Sequence, residues 1–210
     1  MGRVAALAEV GARGFDSLLF SRAGTAVQAI ALKAQGFDFF IGYLGDCSPV
    51  LVDVVIGAGL AFMPVTFANA FDGESAAKRC VMLGIEPGTT VWLDLEGASL
   101  LNRPIDQLKS DINIWSASIT AAGFQPGLYI GSPQPFTGPE LYALASKRYW
   151  KAPSRIIDRS GDIWDGPSCG FCCFQLYPSR AWRSTGIFCD VDVIGQDFEG
   201  RVPTWTVSGP

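Results

Sequence analysis

Val91-Trp92-Leu93-Asp94-Leu95-Glu96-Gly97 is a short apolar run that carries two carboxylates two residues apart and closes on a glycine. Read as a strand, it alternates its side chains between two faces. Trp92, Asp94 and Glu96 then point one way, and Leu93 and Leu95 the other. That spacing sets the two acidic backbone positions about 6–7 Å apart. Carboxyl groups on such a base reach opposite sides of one bond, the arrangement that glycoside hydrolysis requires. An Asp-x-Glu also serves as an ordinary strand end whose acids cap a helix or meet an arginine, so its surroundings must decide between the two.

Composition narrows the chemistry. The chain has 210 residues, 49% of them hydrophobic and 17% charged, enough for one sizeable core and far from a disordered composition. A net charge of -4 and a pI near 4.8 argue against nucleic acid and offer no basic patch to an anionic membrane. The chain contains no histidine. Ser-His-Asp and Cys-His catalysis, HExxH zinc sites and imidazole cages are therefore excluded, and acid–base work falls to Asp and Glu. Residues 1–12 lack the pattern of a secretory signal. The apolar run from Ser48 to Val65 is broken by Asp53, two glycines and Pro64, so it is not expected to span a membrane. The expected location is cytoplasmic until lysis or release, or within a virion if the protein is phage-encoded. Of the six cysteines (Cys47, Cys80, Cys169, Cys172, Cys173, Cys189), Cys169 and Cys172 form a CxxC with no second pair and no histidine beside it. Buried free thiols are expected rather than a metal site, and no cofactor is implied.

Outward from residues 91–97 the chain alternates strand and helix signals. Gly14-Phe15-Asp16 reads as a first strand, followed by a helix from about Arg22 to Gln35 that Gly36 stops. Phe37 to Leu44 is a second strand. Ser48-Pro49 caps a helix closed by Gly57 and Gly59, and Leu60 to Val65 is a third strand. A helix over Glu74 to Leu83 leads into the acid-bearing fourth strand. Ile105, Leu108, Ile112, Trp115 and Ile119 mark the clearest helix, opened by Pro104 and stopped by Gly123. Gly127 to Gly131, Arg148 to Ala152, Phe171 to Tyr177 and Ile187 to Val193 supply strands five to eight, with a short helix from Pro139 to Ser146.

Eight strands in this alternation predict an α/β fold: a TIM-like (β/α)8 barrel with depleted helices in the C-terminal half, where the connections are short. An open doubly wound sheet is the alternative, but no glycine-rich phosphate loop follows the first strand. The expected organisation is an N-terminal extension over 1–12, the barrel over 13–200, and a polar C-terminal tail over 201–210 lying loosely on the surface.

In a parallel barrel, functional residues gather at the C-terminal strand ends. Acids occur there on strands one (Asp16), four (Asp94, Glu96) and eight (Asp190, Asp192). Strands five to seven add Tyr129, Trp150, Gln175 and Tyr177, which can stack on or hydrogen-bond to a sugar. Burying several acids together is costly unless arginines or lysines neutralise them or a function demands them.

These landmarks resemble glycoside hydrolase family 25: Gly14-Phe-Asp16, Leu93-Asp-Leu-Glu96, Gly127-Leu-Tyr-Ile-Gly131, Phe174-Gln-Leu-Tyr177 and Cys189-Asp-Val-Asp-Val193, in order on successive strands. The stretch Gly36-Phe-Asp-Phe-Phe-Ile-Gly-Tyr43-Leu44 is similar to bacterial and phage glycoside-hydrolase-like domains related to that family. The resemblance implies a muramidase-like barrel that cleaves the β-1,4 bond of peptidoglycan. Glu96 would be the general acid, and Asp94 would stabilise developing positive charge or orient an acetamido group. Asp16 and Asp192 would complete an acidic floor. Gln175, Tyr129, Trp150, Tyr177, Tyr43 and Asp190 would bind substrate. Because Asp190 stands two residues from Asp192, either is a candidate for the strand-eight role. Two functions stay open: a glycan hydrolase, and a catalytically silent glycan-binding or structural component, such as part of a virion or another protein assembly.

Overall fold

The computed structural model describes residues 2–68, 72–163, 166–182 and 186–210. The elements run β1 (Arg3–Leu7), β2 (Arg13–Asp16), α1 (Leu18–Ala23), α2 (Ala26–Ala34), β3 (Phe39–Tyr43), α3 (Pro49–Gly57), β4 (Ala61–Phe67), α4 (Gly73–Met82), β5 (Thr90–Leu95), α5 (Ala98–Leu101), α6 (Ile105–Ala121), β6 (Gln125–Ile130), α7 (Gly138–Tyr142), β7 (Arg148–Lys151), β8 (Cys173–Trp182), β9 (Ile187–Ile194) and β10 (Thr204–Ser208).

Strands β2 to β9 close into the expected eight-stranded barrel, with full helices confined to the first half. Each neighbouring pair from β2–β3 through β7–β8 is parallel. The last strand differs, because β9 pairs antiparallel with both β8 and β2. The reason is chain length. Only residues 183–186 separate β8 from β9, and a parallel return needs a crossover of a dozen residues or more. The helix expected over 22–35 is two helices, since Gly24 takes an extended conformation and Thr25 opens α2 with a capping box to Gln28.

Two cores follow from the alternation of each strand. Outward-facing Phe15, Phe40, Phe62, Leu93, Leu95 and Leu128 pack under the helices with Leu32, Val52, Leu108 and Trp115. Inward-facing Phe39, Ile41, Met63, Trp92, Tyr129, Trp150 and Cys173 fill the barrel. A barrel of this size has room for such rings only where a neighbouring strand has no side chain. A Cβ on Gly14 would stand 2.1 Å from the Phe39 ring, so β2 must be bare at that level.

The two ends of the chain were expected to be an extension and a loose tail, but they form structure. β1 and β10 pair antiparallel across the bottom of the barrel, and Thr206 of β10 pairs with Phe62 of β4. Hydroxyls fasten the joint: Thr89 and Thr206 share a 2.7 Å hydrogen bond, and the Thr204 amide donates to Thr90 Oγ1 at 2.9 Å. Trp205 is buried beneath Phe39 with its ring centroid 5.8 Å away, which plugs the barrel floor. The apparent polarity of residues 201–210 misled because threonine hydroxyls satisfy one another when buried.

Trp205→Ala should therefore cost about 3–5 kcal/mol in urea unfolding, the usual penalty for a large aromatic removed from a core. A loss below about 1 kcal/mol would show that the plug does not support the barrel.

Candidate active site

The acid-bearing strand folds as its alternation demands. On β5, Val91, Leu93 and Leu95 enter the outer core and Trp92 the inner one. Asp94 therefore faces the barrel mouth, and Glu96 follows on the same face at the rim. There Glu96 is exposed, and it packs against the bare backbone of Gly131, where a Cβ would come within 2.5 Å of Glu96 Oε2.

Above the inner core lies a cavity of about 540 Å³ whose lining includes Asp16, Asp94, Glu96, Asp190, Gln175, Tyr43, Tyr129 and Trp150. The same mouth thus gathers nearly every residue singled out in the sequence. Asp192 lies below it, fully buried, because β9 runs backwards. In the antiparallel register Asp190 stands opposite Asp16 and Asp192 opposite Gly14, one level deeper. Asp190 is thus the strand-eight acid that meets the cavity, and Asp192 supports it from beneath. Tyr177 pairs through its backbone with Val191, and its side chain lies outside the described residues.

A hydrogen-bond network holds this floor. Tyr129 donates its hydroxyl to Gln175 Oε1 at 2.8 Å. Gln175 Nε2 donates to Asp190 Oδ2 at 2.7 Å and to Asp16 Oδ2 at 3.1 Å. Trp150 Nε1 donates to Asp192 Oδ1 at 3.0 Å. With both its amide hydrogens and its carbonyl engaged, Gln175 serves as a clamp on two carboxyls rather than as a free sugar ligand. Trp150 and Tyr129 meet edge to face, with centroids 4.4 Å apart.

Among the described residues, none of Asp16, Asp94, Glu96 and Asp192 belongs to an ion pair, and no lysine or arginine lines the cavity. Their enclosure shifts the acids towards the protonated form. Burial, and next the charge of Asp190, push Asp16 up to about 7. Burial raises Asp192 well above the ordinary carboxylate range, and Asp16 adds to the effect. Asp94 is raised well above its ordinary value by burial, then by Glu96 and Asp16. Glu96 is raised by the desolvating walls of the cleft and by Asp190. Burial also keeps the Tyr129 phenol protonated as the donor Gln175 needs.

A second cavity of about 490 Å³ lies across the acid pair, lined by Phe67, Ala68, Gly97, Ser99, Leu100 and Ser132 together with Asp94 and Glu96. Phe67 stacks on Tyr43 at 4.7 Å, which joins the rims of the two cavities. Phe67 was missed because the third strand was ended at Val65, and two more residues in the same alternation reach it. Ser132, on both cavities, directly follows the strand-five glycine and was open to the same strand-end rule. The six cysteines are buried free thiols, and burial pushes Cys172 up to about 12. Among the described residues no group of Cys, Asp and Glu is placed to hold a metal, and no helix is long and apolar enough to cross a membrane.

The barrel with this mouth has the fold of the glycosyl hydrolase 25 proteins. No family model and no curated protein matches the chain. Among solved structures it is similar to GHIP, a glycosyl hydrolase 25 of Streptococcus pneumoniae described as a virulence factor, with TM-score 0.60, 12% identity, and coverage of 88% of this chain and 87% of that one. It is also similar to the Tat-secreted protein Rv2525c of Mycobacterium tuberculosis, solved in complex with HEPES, with TM-score 0.55, 15% identity, and coverage of 89% and 96%. At these identities the likeness establishes the fold.

The raised acids set the sign of the pH dependence. Between the ordinary Asp value of 3.8 and about 7, the folded protein holds protons that the unfolded chain has released. The stability they confer is complete below 3.8 and is lost as pH rises towards 7. The urea midpoint should fall over this window, and Asp192→Asn, which keeps the acceptor for Trp150, should flatten the fall. A midpoint that climbs from pH 4 to 7 would contradict the assignment.

Proposed function

We propose that this barrel is a glycoside hydrolase that cleaves glycan strands, with muramidase-type cutting of peptidoglycan as its reaction. One observation carries the reading: Asp94 and Glu96 share a face at the mouth of a cavity whose described lining has acids and aromatics but no basic side chain. Glu96, at the rim and raised above its ordinary value, is the general acid. It gives that proton to the bridging oxygen as the bond from the anomeric carbon to that oxygen breaks. The electron pair of the bond leaves with the oxygen, and positive charge builds on the sugar. Asp94 and Asp16 face that charge and stabilise it as it grows. Water then adds to the anomeric carbon and returns a proton to Glu96. Gln175 keeps Asp16 and Asp190 in register for this step.

The setting we infer, a bacterial or phage product that meets cell-wall glycan either free or within a virion, rests on the resemblance of residues 36–44. The test is turbidity loss and release of reducing ends from purified peptidoglycan. Glu96→Gln should lower the rate about 10²–10⁴-fold with almost no change of shape, the usual contribution of a positioned acid. Asp94→Asn should do comparable damage, while both variants fold at least as stably as the parent. A folded wild-type protein that binds glycan and yields no new reducing ends between about pH 4 and pH 8 would leave the silent binding module as the answer.

A further inference from the structure

The charge balance of the cleft points to a particular kind of sugar. Both cavities beside the acid pair lack a lysine or arginine among their described lining residues. Asp94 is only 4% exposed and lines both cavities, yet its Oδ1 has no hydrogen-bond partner among the described residues. Among the described residues, Asp16 accepts from the Gln175 amide and Asp192 from the Trp150 indole, both neutral donors. Aromatic side chains ring the same space, Tyr43 stacked on Phe67 and Trp150 set edge-on against Tyr129. Carboxylates combined with aromatic faces are what an ammonium group seeks. An unpartnered buried carboxyl is costly, and a neutral sugar would leave it without an opposite charge.

We propose that the cleft selects amino-sugar glycans bearing free ammonium groups, with Asp94 as the ammonium's first partner and Asp16 as its second. This rests on the glycan-binding reading above and names the substrate class more narrowly. The ammonium supplies the positive charge that the described walls lack, and binding it releases protons from the acids. A fully N-acetylated strand presents amides instead, which satisfy hydrogen bonds but leave the charge unbalanced.

The experiment is calorimetric titration of the whole Glu96→Gln protein, in which cleavage is suppressed. A β-1,4 tetramer of glucosamine is compared with its fully N-acetylated counterpart at neutral pH. The glucosamine tetramer should bind about tenfold more tightly, the size of one good ammonium contact. Adding Asp94→Asn should reduce that preference to about twofold or less, with Asp16→Asn as the second variant should the first fail to fold. The preference should also shrink between about 50 mM and about 500 mM salt. Equal binding of the two tetramers, or tighter binding of the acetylated one, would overturn the inference while leaving a glycan-binding protein. A preference that survives both Asp94→Asn and Asp16→Asn would also overturn it, by tracing the attraction to the overall negative charge. If neither tetramer binds, the inference falls, and the glycan reading is then decided by whether the wild-type protein binds or releases reducing ends from peptidoglycan.

Discussion

Carboxyl groups enclosed together, with no opposing charge among the described lining residues, dominate this molecule. Asp16, Asp94, Glu96 and Asp192 belong to no ion pair among the described residues, and three of them are almost wholly buried. Enclosed charges repel strongly where the dielectric is low, so the fold tolerates them only by keeping protons on some of them. Neutral groups that the barrel holds rigidly donate hydrogen bonds to them: the Gln175 amide, itself fixed by the Tyr129 phenol, and the Trp150 indole. The mouth is thus stable chiefly in its protonated form and receptive to positive charge. A developing sugar cation or an ammonium relieves the same repulsion, which links what the site costs in stability to what it can bind.

The rest of the barrel is arranged so that this mouth stays open and its floor stays solid. Large rings fill the interior directly below the acids, and Trp205 closes the bottom. Asp192 sits between these layers and accepts from Trp150, while Gln175 holds Asp16 and Asp190 above it, so the floor of the cleft is continuous with the packed core. The rings and the acid at the rim fit because β2 and the end of β6 are bare at Gly14 and Gly131. These glycines owe their place to space rather than to backbone freedom.

Much of this was legible in the chain. Period-two alternation in residues 91–96 assigned Trp92, Asp94 and Glu96 to one face, and strand–helix repetition implied a closed barrel with acids at one end. The lack of histidine left carboxyls as the available acid–base groups. Each of these is a local property, set by side-chain direction along a strand or by residue type, and local properties survive folding unchanged.

Other features required the tertiary structure. The direction of the last strand decides whether Asp190 or Asp192 meets the cavity, and it depends on how far β8 extends before the chain turns. Gln175 looks like a sugar ligand until its three hydrogen bonds are traced to Tyr129, Asp190 and Asp16, residues far apart in sequence. The polar tail at 201–210 becomes a strand because the Thr206 hydroxyl meets that of Thr89 and the Thr204 amide donates to the hydroxyl of Thr90. Composition and periodicity report what a segment can do alone, whereas pairing, burial and proton sharing depend on which distant groups the closed barrel brings within reach.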